Sequence, residues 1–499
     1  MKWPAEFIWT TARAVLRRAI FGAVAAAALI AAGCGGSGYG GSPSAPPPPP
    51  AAASKSTVTM GAITAFSTGG VSLNGVQFQA GSAAVSIDGA SGQLGDLHVG
   101  DVVQVHGHHD DGNDDDVADE IDFRGNVEGP VSAIDTTAQT LVVLGQTVVV
   151  SADTSFDDDL SPATLAGVHV GDVVEVSGMP AADGSIHATR IEAKPPGSTF
   201  EVVGSASNTD ATAKTLNINA LVVDFATATL KDFAASGPQD GDLVEAHGMV
   251  IEANGALKAS SLERLNGADL RDDQDDEARV EGLITRFASA SDFDVAGHPV
   301  ATGASTEFEG GTAADLALNV HVEVEGTVDS SGVIQAQKVH IQAAANVRLT
   351  AQVDAVDAGA GTVSMLGIQI SVDDMTRFDD HGSQQSSSFS LADVHVGDWL
   401  EIRGSESGSG NAVTATRLDR EQPQSEVRLM GPVSAVAPPN FTLVATSVAT
   451  TAATDFSDGL NATTFFNTAV GKSASVRGSW NGTMLTASTV QLGDDHDED

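Results

Sequence analysis

The sequence predicts an all-β chain of six tandem, small antiparallel modules set behind a signal peptide and a Pro/Gly-rich stalk, and three observations carry that prediction. A hydrophobic run closed by glycine recurs at nearly even intervals, at Gly107, Gly178, Gly248, Gly326, Gly404 and Gly478. Each run alternates with period two. Val103/Val105 stand against Gln104/His106, Val174/Val176 against Glu175/Ser177, Val244/Ala246 against Glu245/His247, Val322/Val324 against Glu323/Glu325, Leu400/Ile402 against Glu401/Arg403 and Ala474/Val476 against Ser475/Arg477. An alanine follows each glycine at a nearly constant distance, at Ala118, Ala188, Ala259, Ala336, Ala415 and Ala487. Period two with one apolar and one wet face marks an antiparallel strand curled over a core, and the glycine reads as its end. The steady interval to alanine marks a hairpin into a last strand.

Residues 1–33 read as a targeting segment. Lys2, Arg13, Arg17 and Arg18 form a basic start and 19–32 a short apolar run. Cys34, the only cysteine, follows in Leu29-Ile30-Ala31-Ala32-Gly33-Cys34. This is similar to a bacterial lipobox, with Ala31 where leucine is usual, and the resemblance implies lipidation of Cys34. Gly35 after the cysteine resembles the outer-membrane sorting pattern. With no second cysteine there is no disulfide, and no later apolar run reaches the roughly 18 residues of a membrane span. The expected location is therefore the bacterial cell envelope, attached through lipid, at the outer membrane. Residues 34–56, with Pro46 to Pro50 in a row after Gly/Ser repeats, read as a disordered stalk.

The modules are assigned to 57–125, 126–194, 199–266, 278–343, 346–420 and 426–493, with an acidic linker at 267–277 and an acidic tail at 494–499. Each opens on a hydrophobic-x-Gly phrase such as Val127-Glu128-Gly129, with Ala351 replacing the glycine in the fifth. The runs 141–144 and 147–150 around Gly145-Gln146 predict a tight hairpin. Thr-x-Phe phrases at Thr154, Thr306, Thr376 and Thr454 each end a strand and place one aromatic in the core. Five strands, with a short irregular or helical piece before the fourth, predict a small closed or nearly closed barrel, OB-like in type. A period longer than that of solenoid and propeller repeats predicts separate cores, beads on a string that fold largely independently.

At these residues the chain resembles the bacterial domain-of-unknown-function family 5666. Copies in that family read as an opening Val-x-Gly, a Thr-x-Phe, a Gly-Asp-x-Val-x-Val-x-Gly and a closing Ala-x-x-Ile/Val. The resemblance covers nearly all of 57–493, closest in the second module, and implies exported, often lipid-anchored proteins with no catalytic residues to carry over.

The formal net charge of −42 argues against nucleic acid as a partner, because it repels phosphate backbones. Gly100-Asp101, Gly171-Asp172, Gly241-Asp242 and Gly397-Asp398 recur, but Val320 and Lys472 stand at the same place in the other copies, so this is a turn and not a catalytic acid. His98, His169 and His395 precede three of these turns as exposed residues. The acidic hairpin loop from His108 to Asp116 is the candidate metal site, with Asp110, Asp111, Asp114, Asp115 and Asp116 suited to Ca²⁺, although the order of a calcium loop is absent. Solvated acids that bind counterions diffusely are the simpler account. No Gly-x-Ser-x-Gly elbow, zinc-protease helix or phosphate loop is present. No cofactor is expected, and no enzyme activity. The expected function is a non-enzymatic binding or spacer role with an envelope protein or polysaccharide as partner. An adhesin or divalent-cation-binding protein using the acidic loops is the alternative, and a hydrolase the third reading.

Overall fold

The computed structural model describes residues 55–110, 115–265, 270, 276–406, 412–457 and 459–493. The described chain is all-β with tandem repeats, as expected. One strand plan recurs, and the second repeat shows it. Val127–Asp135 pairs at its start with Val173–Pro180 and at its end with Thr140–Val143. The latter turns into Gln146–Val149, which runs parallel to Ile186–Lys194, and that strand pairs back to Val173–Pro180. The ladder thus returns to the strand on which it began. The hairpin turns on Leu144 and Gly145, both at positive φ (44° and 73°), one residue earlier than the sequence suggested. The piece before the fourth strand is a 3₁₀ turn at Leu165–Gly167, and in the last repeat the helix Ala462–Thr468.

Two of the recurring signatures turn out to be one device. Each closing glycine lies opposite the following alanine at a β-bulge, as in Gly178 against Ala188 and Gly326 against Ala336. A Cβ on Gly178 would collide with the carbonyl oxygen of His187 on the facing strand, and the same collision recurs at the other five. The strand does not end there, contrary to the expectation: Val173–Pro180 and Leu243–Ile251 run on through their glycines. Only a residue without a side chain lets the bulge bring the strands this close.

The threonine of Thr-x-Phe fastens to the same alanine. Thr154 Oγ1 donates to the carbonyl of Ala188 at 2.8 Å and accepts the Ser151 N–H at 3.0 Å. Thr306, Thr376 and Thr454 do likewise with Ala336, Ala415 and Ala487 at 2.8, 2.9 and 2.8 Å. The Gly-Asp pair is the turn that the sequence implied. Asp172 accepts the His169 N–H at 2.8 Å, and Gly171 sits at φ 101°.

The separation of the repeats is corrected. Described strands form three sheets, each built from two repeats joined through their first strands. Glu201 and Val202 of the third repeat pair with Glu128 and Val127 of the second, and Arg348 to Thr350 of the fifth with Arg428 to Met430 of the sixth. Most surprising from sequence order, Thr57 to Met60 of the first repeat run parallel to Glu277 to Val280 of the fourth. The organisation is closer to a β-solenoid, in which ladders continue from one repeat into another, than to discrete OB-like barrels. The physical reason lies in the first strand. Because only its end pairs with the next strand, its start keeps an open edge, and a second first strand covers that edge.

Cores are shared accordingly. One buried cluster runs from Val127 through Leu262, a second from Val347 through Val490, and Val58 packs into the core of the fourth repeat. Ala62, Met179 and Leu283 then join the first, second and fourth repeats. A fragment spanning 126–266 should therefore melt at a higher temperature than 126–194 by circular dichroism. Equal melting temperatures would mean that the shared edge contributes nothing.

Candidate functional site

The acidic loop named as the candidate metal site is only partly within the described residues. Asp111 and Asp114 lie outside them, as do the side chains of Asp110 and Asp115, the tail 494–499 and Cys34. Asp116 pairs with His109 (Oδ1 to Nδ1, 3.2 Å) and His108 with Asp119 (2.7 Å). These pairs cross the base of the hairpin between Val102–Asp110 and Asp115–Phe123.

The chemistry gathers instead on the face of the closing strands that the alternation had assigned to water. That face is buried. Glu175 is 5 % exposed, Glu245 1 %, Glu323 4 % and Glu401 8 %, each on the side of its strand opposite the apolar core. Other repeats pack onto this face. Arg124 of the first repeat donates to Glu245 of the third at 2.6 Å, and Glu281 of the fourth accepts the Ala62 N–H of the first at 2.9 Å. Val102 N–H donates to Ser177 Oγ at 2.8 Å between the first and second repeats. The fifth repeat is bound to the second by Arg417, which donates to the Thr154 carbonyl at 3.1 Å, and by Arg377, which donates to the Thr189 carbonyl at 3.2 Å. Arg403 reaches the Ala152 carbonyl, and His381 pairs with Asp158 at 3.0 Å.

Strand register lines these side chains into rows. Across the second and third repeats Glu192, Glu175, Glu128, Glu201 and His247 stand opposite one another on successive strands. Across the fifth, Arg417, Arg403 and Arg348 do the same. Like charges directly opposite are unfavourable, so each row needs compensation from its neighbours. For the arginines it is close at hand. Glu401 accepts from Arg348 at 3.0 Å and from Arg403 at 2.7 Å, and Asp419 accepts from Arg417 at 2.7 Å. Burial alone would raise the Glu401 carboxyl, but its two arginines hold it well below the usual range.

The acidic row is compensated less evenly. Burial raises Glu175 to about 7 even though Lys194 lies against it. Burial, then the charges of Asp88 and Glu245, push Glu201 far above the ordinary carboxylate value, whereas Glu245, beside His247 and Arg124, is held down against its own burial.

Two clefts open on these rows. The first, about 430 Å³, lies where the second, fifth and sixth repeats meet, and is lined by Arg348, Arg403, Arg417, Arg428, Arg477 and His381 together with Glu401 and Asp419. The second, about 490 Å³, lies between the first and third repeats and is lined by Asp88, His106, Glu120, Arg124, His247 and Glu263 among others. Among the described residues, three clusters have ligand atoms close enough to share a cation: His98/Asp101/Glu192, Asp379/His381/Asp419 and Glu201/Glu245/His247. In the first, Arg190 already lies 2.6 Å from Glu192 and 3.9 Å from Asp101. In the second, Arg417 lies 2.7 Å from Asp419 and 3.7 Å from Asp379. A guanidinium fills the cation's place in both.

Sequence patterns match this geometry to a family. The model for "Domain of unknown function (DUF5666)" matches residues 60–122, 128–192, 281–340, 350–419 and 430–491, more than half of the chain. The chain belongs to the DUF5666 family. Five repeats are matched, and the segment from Phe200 to Arg264 lies between the second and third matches while keeping the strand plan of the other DUF5666 repeats. A comparison with curated proteins gives no match.

Sequence reasoning missed the buried polar face because alternation reports which side is apolar, not what covers the other. A signal was nevertheless present. Glutamate occupies the same face position in four copies, Glu175, Glu245, Glu323 and Glu401.

Glu323 makes the consequence measurable. Burial raises it to about 7, with Arg279 and Lys338 favouring its charge and Glu325 and Glu281 opposing it. A carboxyl raised on folding stabilises the fold while protonated, and that contribution is lost as pH rises through the folded value. Glu323→Gln should therefore gain stability over the parent between pH 5 and pH 8, on the order of 2 kcal/mol, in denaturant unfolding at the two pH values. A difference independent of pH would show that Glu323 is not desolvated.

Proposed function

We propose that the chain is a lipid-anchored cell-envelope protein without catalytic activity, whose repeats act as one rigid spacer that presents the arginine-lined cleft to an acidic envelope polysaccharide. The observation that carries this reading is the convergence of Arg348, Arg403, Arg417, Arg428 and Arg477 on one cleft in a chain with 24 Lys and Arg against 66 Asp and Glu. Guanidinium groups hold carboxylates through paired, planar hydrogen bonds. Here Glu401 and Asp419 fix several of them in place, so little side-chain freedom is lost on binding. The surrounding negative charge opposes approach only over a screening length of about 8 Å at physiological salt, so local groups decide affinity. Support for a non-catalytic role comes from the carboxylates themselves. Glu401, Asp419 and Glu281 are engaged with Arg348 and Arg403, Arg417 and His321 respectively.

Titration with polygalacturonate, with neutral dextran as control, tests the cleft. The double variant Arg428→Ala/Arg477→Ala should bind the acidic polymer roughly tenfold more weakly, a loss of about 1.4 kcal/mol, and dextran should not bind. Equal affinity in parent and variant would place any polymer elsewhere. The anchor is tested separately. Cys34→Ala should move the protein from the membrane to the soluble fraction, and retention in the membrane would refute lipid attachment at Cys34.

A further inference from the structure

Of the neighbours Glu201 and Glu245, Glu201 lacks, among the described residues, the guanidinium partner that Glu245, Glu192 and Asp419 each have. Both are nearly fully buried, 5 % and 1 % exposed, and Glu201 Oε1 has no hydrogen-bond partner. Glu245 Oε1 lies 3.2 Å from His247 Nε2, in a geometry that forms no proper hydrogen bond, and Glu201 Oε2 lies 3.5 Å from His247 Nδ1. One ligand atom from each of the three residues falls within 4.8 Å of the others. The nearest guanidinium is already engaged: Arg124 meets Glu245 through Oε2 at 2.6 Å and Asp122 at 3.1 Å. Lys194 is likewise taken by Glu175 and Glu192.

The surroundings add negative charge. Asp88 of the first repeat is the first charge that acts on Glu201, and Glu175 also adds to it. Glu128 stands directly across the ladder from Glu201. Buried carboxylates persist when they are paired or coordinate a cation. His98/Asp101/Glu192 and Asp379/His381/Asp419 receive an arginine; here Glu201 receives none.

We propose that Glu201, Glu245 and His247 bind a first-row divalent cation, best matched by Zn²⁺, at the junction of the first and third repeats. The donor set decides the class of ion. One imidazole nitrogen with two carboxylate oxygens suits zinc and its first-row neighbours, whereas Ca²⁺ takes six to eight oxygen ligands and Mg²⁺ keeps several waters. His247 also lines the cleft between the two repeats, which provides an entry path and room for a water as fourth ligand. The site draws its three ligands from Phe200–Asp210 and Leu243–Ile251, adjacent strands of one ladder, so their spacing is fixed before the ion arrives. This inference stands apart from the arginine-lined cleft and does not depend on it.

The test uses the full chain, stripped with EDTA and titrated with ZnCl₂ by calorimetry, in parallel with Glu201→Gln/Glu245→Gln and with the acidic-loop variant Asp111→Asn/Asp114→Asn. One equivalent of Zn²⁺ should be taken up by the parent and the loop variant and lost in the glutamate variant, with excess Ca²⁺ failing to displace it. Equal uptake in parent and glutamate variant overturns the proposal. So does the absence of saturable uptake by the parent, and a protonated-carboxyl infrared band that disappears in Glu201→Gln would then show that a shared proton does the work assigned to the ion. If the glutamate variant does not fold, hydrogen exchange of the parent with and without Zn²⁺ decides. Added protection in Phe200–Asp210 and Leu243–Ile251 supports the site, and protection confined to the hairpin around 108–116 overturns it.

Discussion

A buried charge must have a partner, and the arrangement of this molecule follows from where that rule is applied. The closing strand of each repeat carries an apolar face that fills a core and a polar face that carries Glu175, Glu245, Glu323 or Glu401 in four of the repeats. Left in water, that face would leave pairs of repeats joined only through their first strands. Covered by other repeats, it requires each carboxylate to find a cation or a donor, within its own repeat as Glu401 does with Arg348 and Arg403, or across a junction as Glu245 does with Arg124. Removing one partner of a buried pair typically costs about 3–5 kcal/mol, far more than an exposed pair contributes. The ion pairs therefore act less as sources of stability than as conditions on which repeats can meet.

Those conditions differ from junction to junction. The fifth repeat meets the second through arginines that reach backbone carbonyls, Arg417 to Thr154 and Arg377 to Thr189. The first repeat meets the fourth through Glu281 and the parallel strands at Thr57 to Met60. Exchange of one repeat for another would leave charges buried and unpaired, which is a means of specifying assembly by penalty as well as by attraction. The same rule identifies the clefts. The arginines of the fifth and sixth repeats gather on one of them, and at the other the glutamates of the third repeat exceed the cations that reach them.

What the sequence made legible was the local plan. Glycine at 107, 178, 248, 326, 404 and 478 is explained by a carbonyl that no Cβ could pass, and in four repeats the threonine of Thr-x-Phe fastens to the backbone of the paired alanine. Such rules act within one repeat and recur with it, so repetition exposes them. The assembly was not legible, because an alternating strand looks the same whether water or another repeat lies on its polar side. The pairing of first with fourth depends on contacts between parts of the chain remote in sequence, such as Ala62 with Glu281. Nothing in a local pattern of alternation reports that distance. The acidic loop drew attention for its density of aspartates, whereas Glu201, buried beside Glu245 with an unpartnered oxygen, stands singly in an otherwise ordinary strand.

The buried polar faces bind separate repeats into one body, and Arg417, which spans from the fifth repeat to the second, is where this can be measured. Hydrogen exchange on the parent and on Arg417→Ala would follow two repeats at once. If the claim holds, removing this side chain from the fifth repeat lowers amide protection around Ser151 to Phe156 in the second repeat as well as around Asp419. Loss of protection confined to the fifth repeat, with the second unchanged, would contradict it.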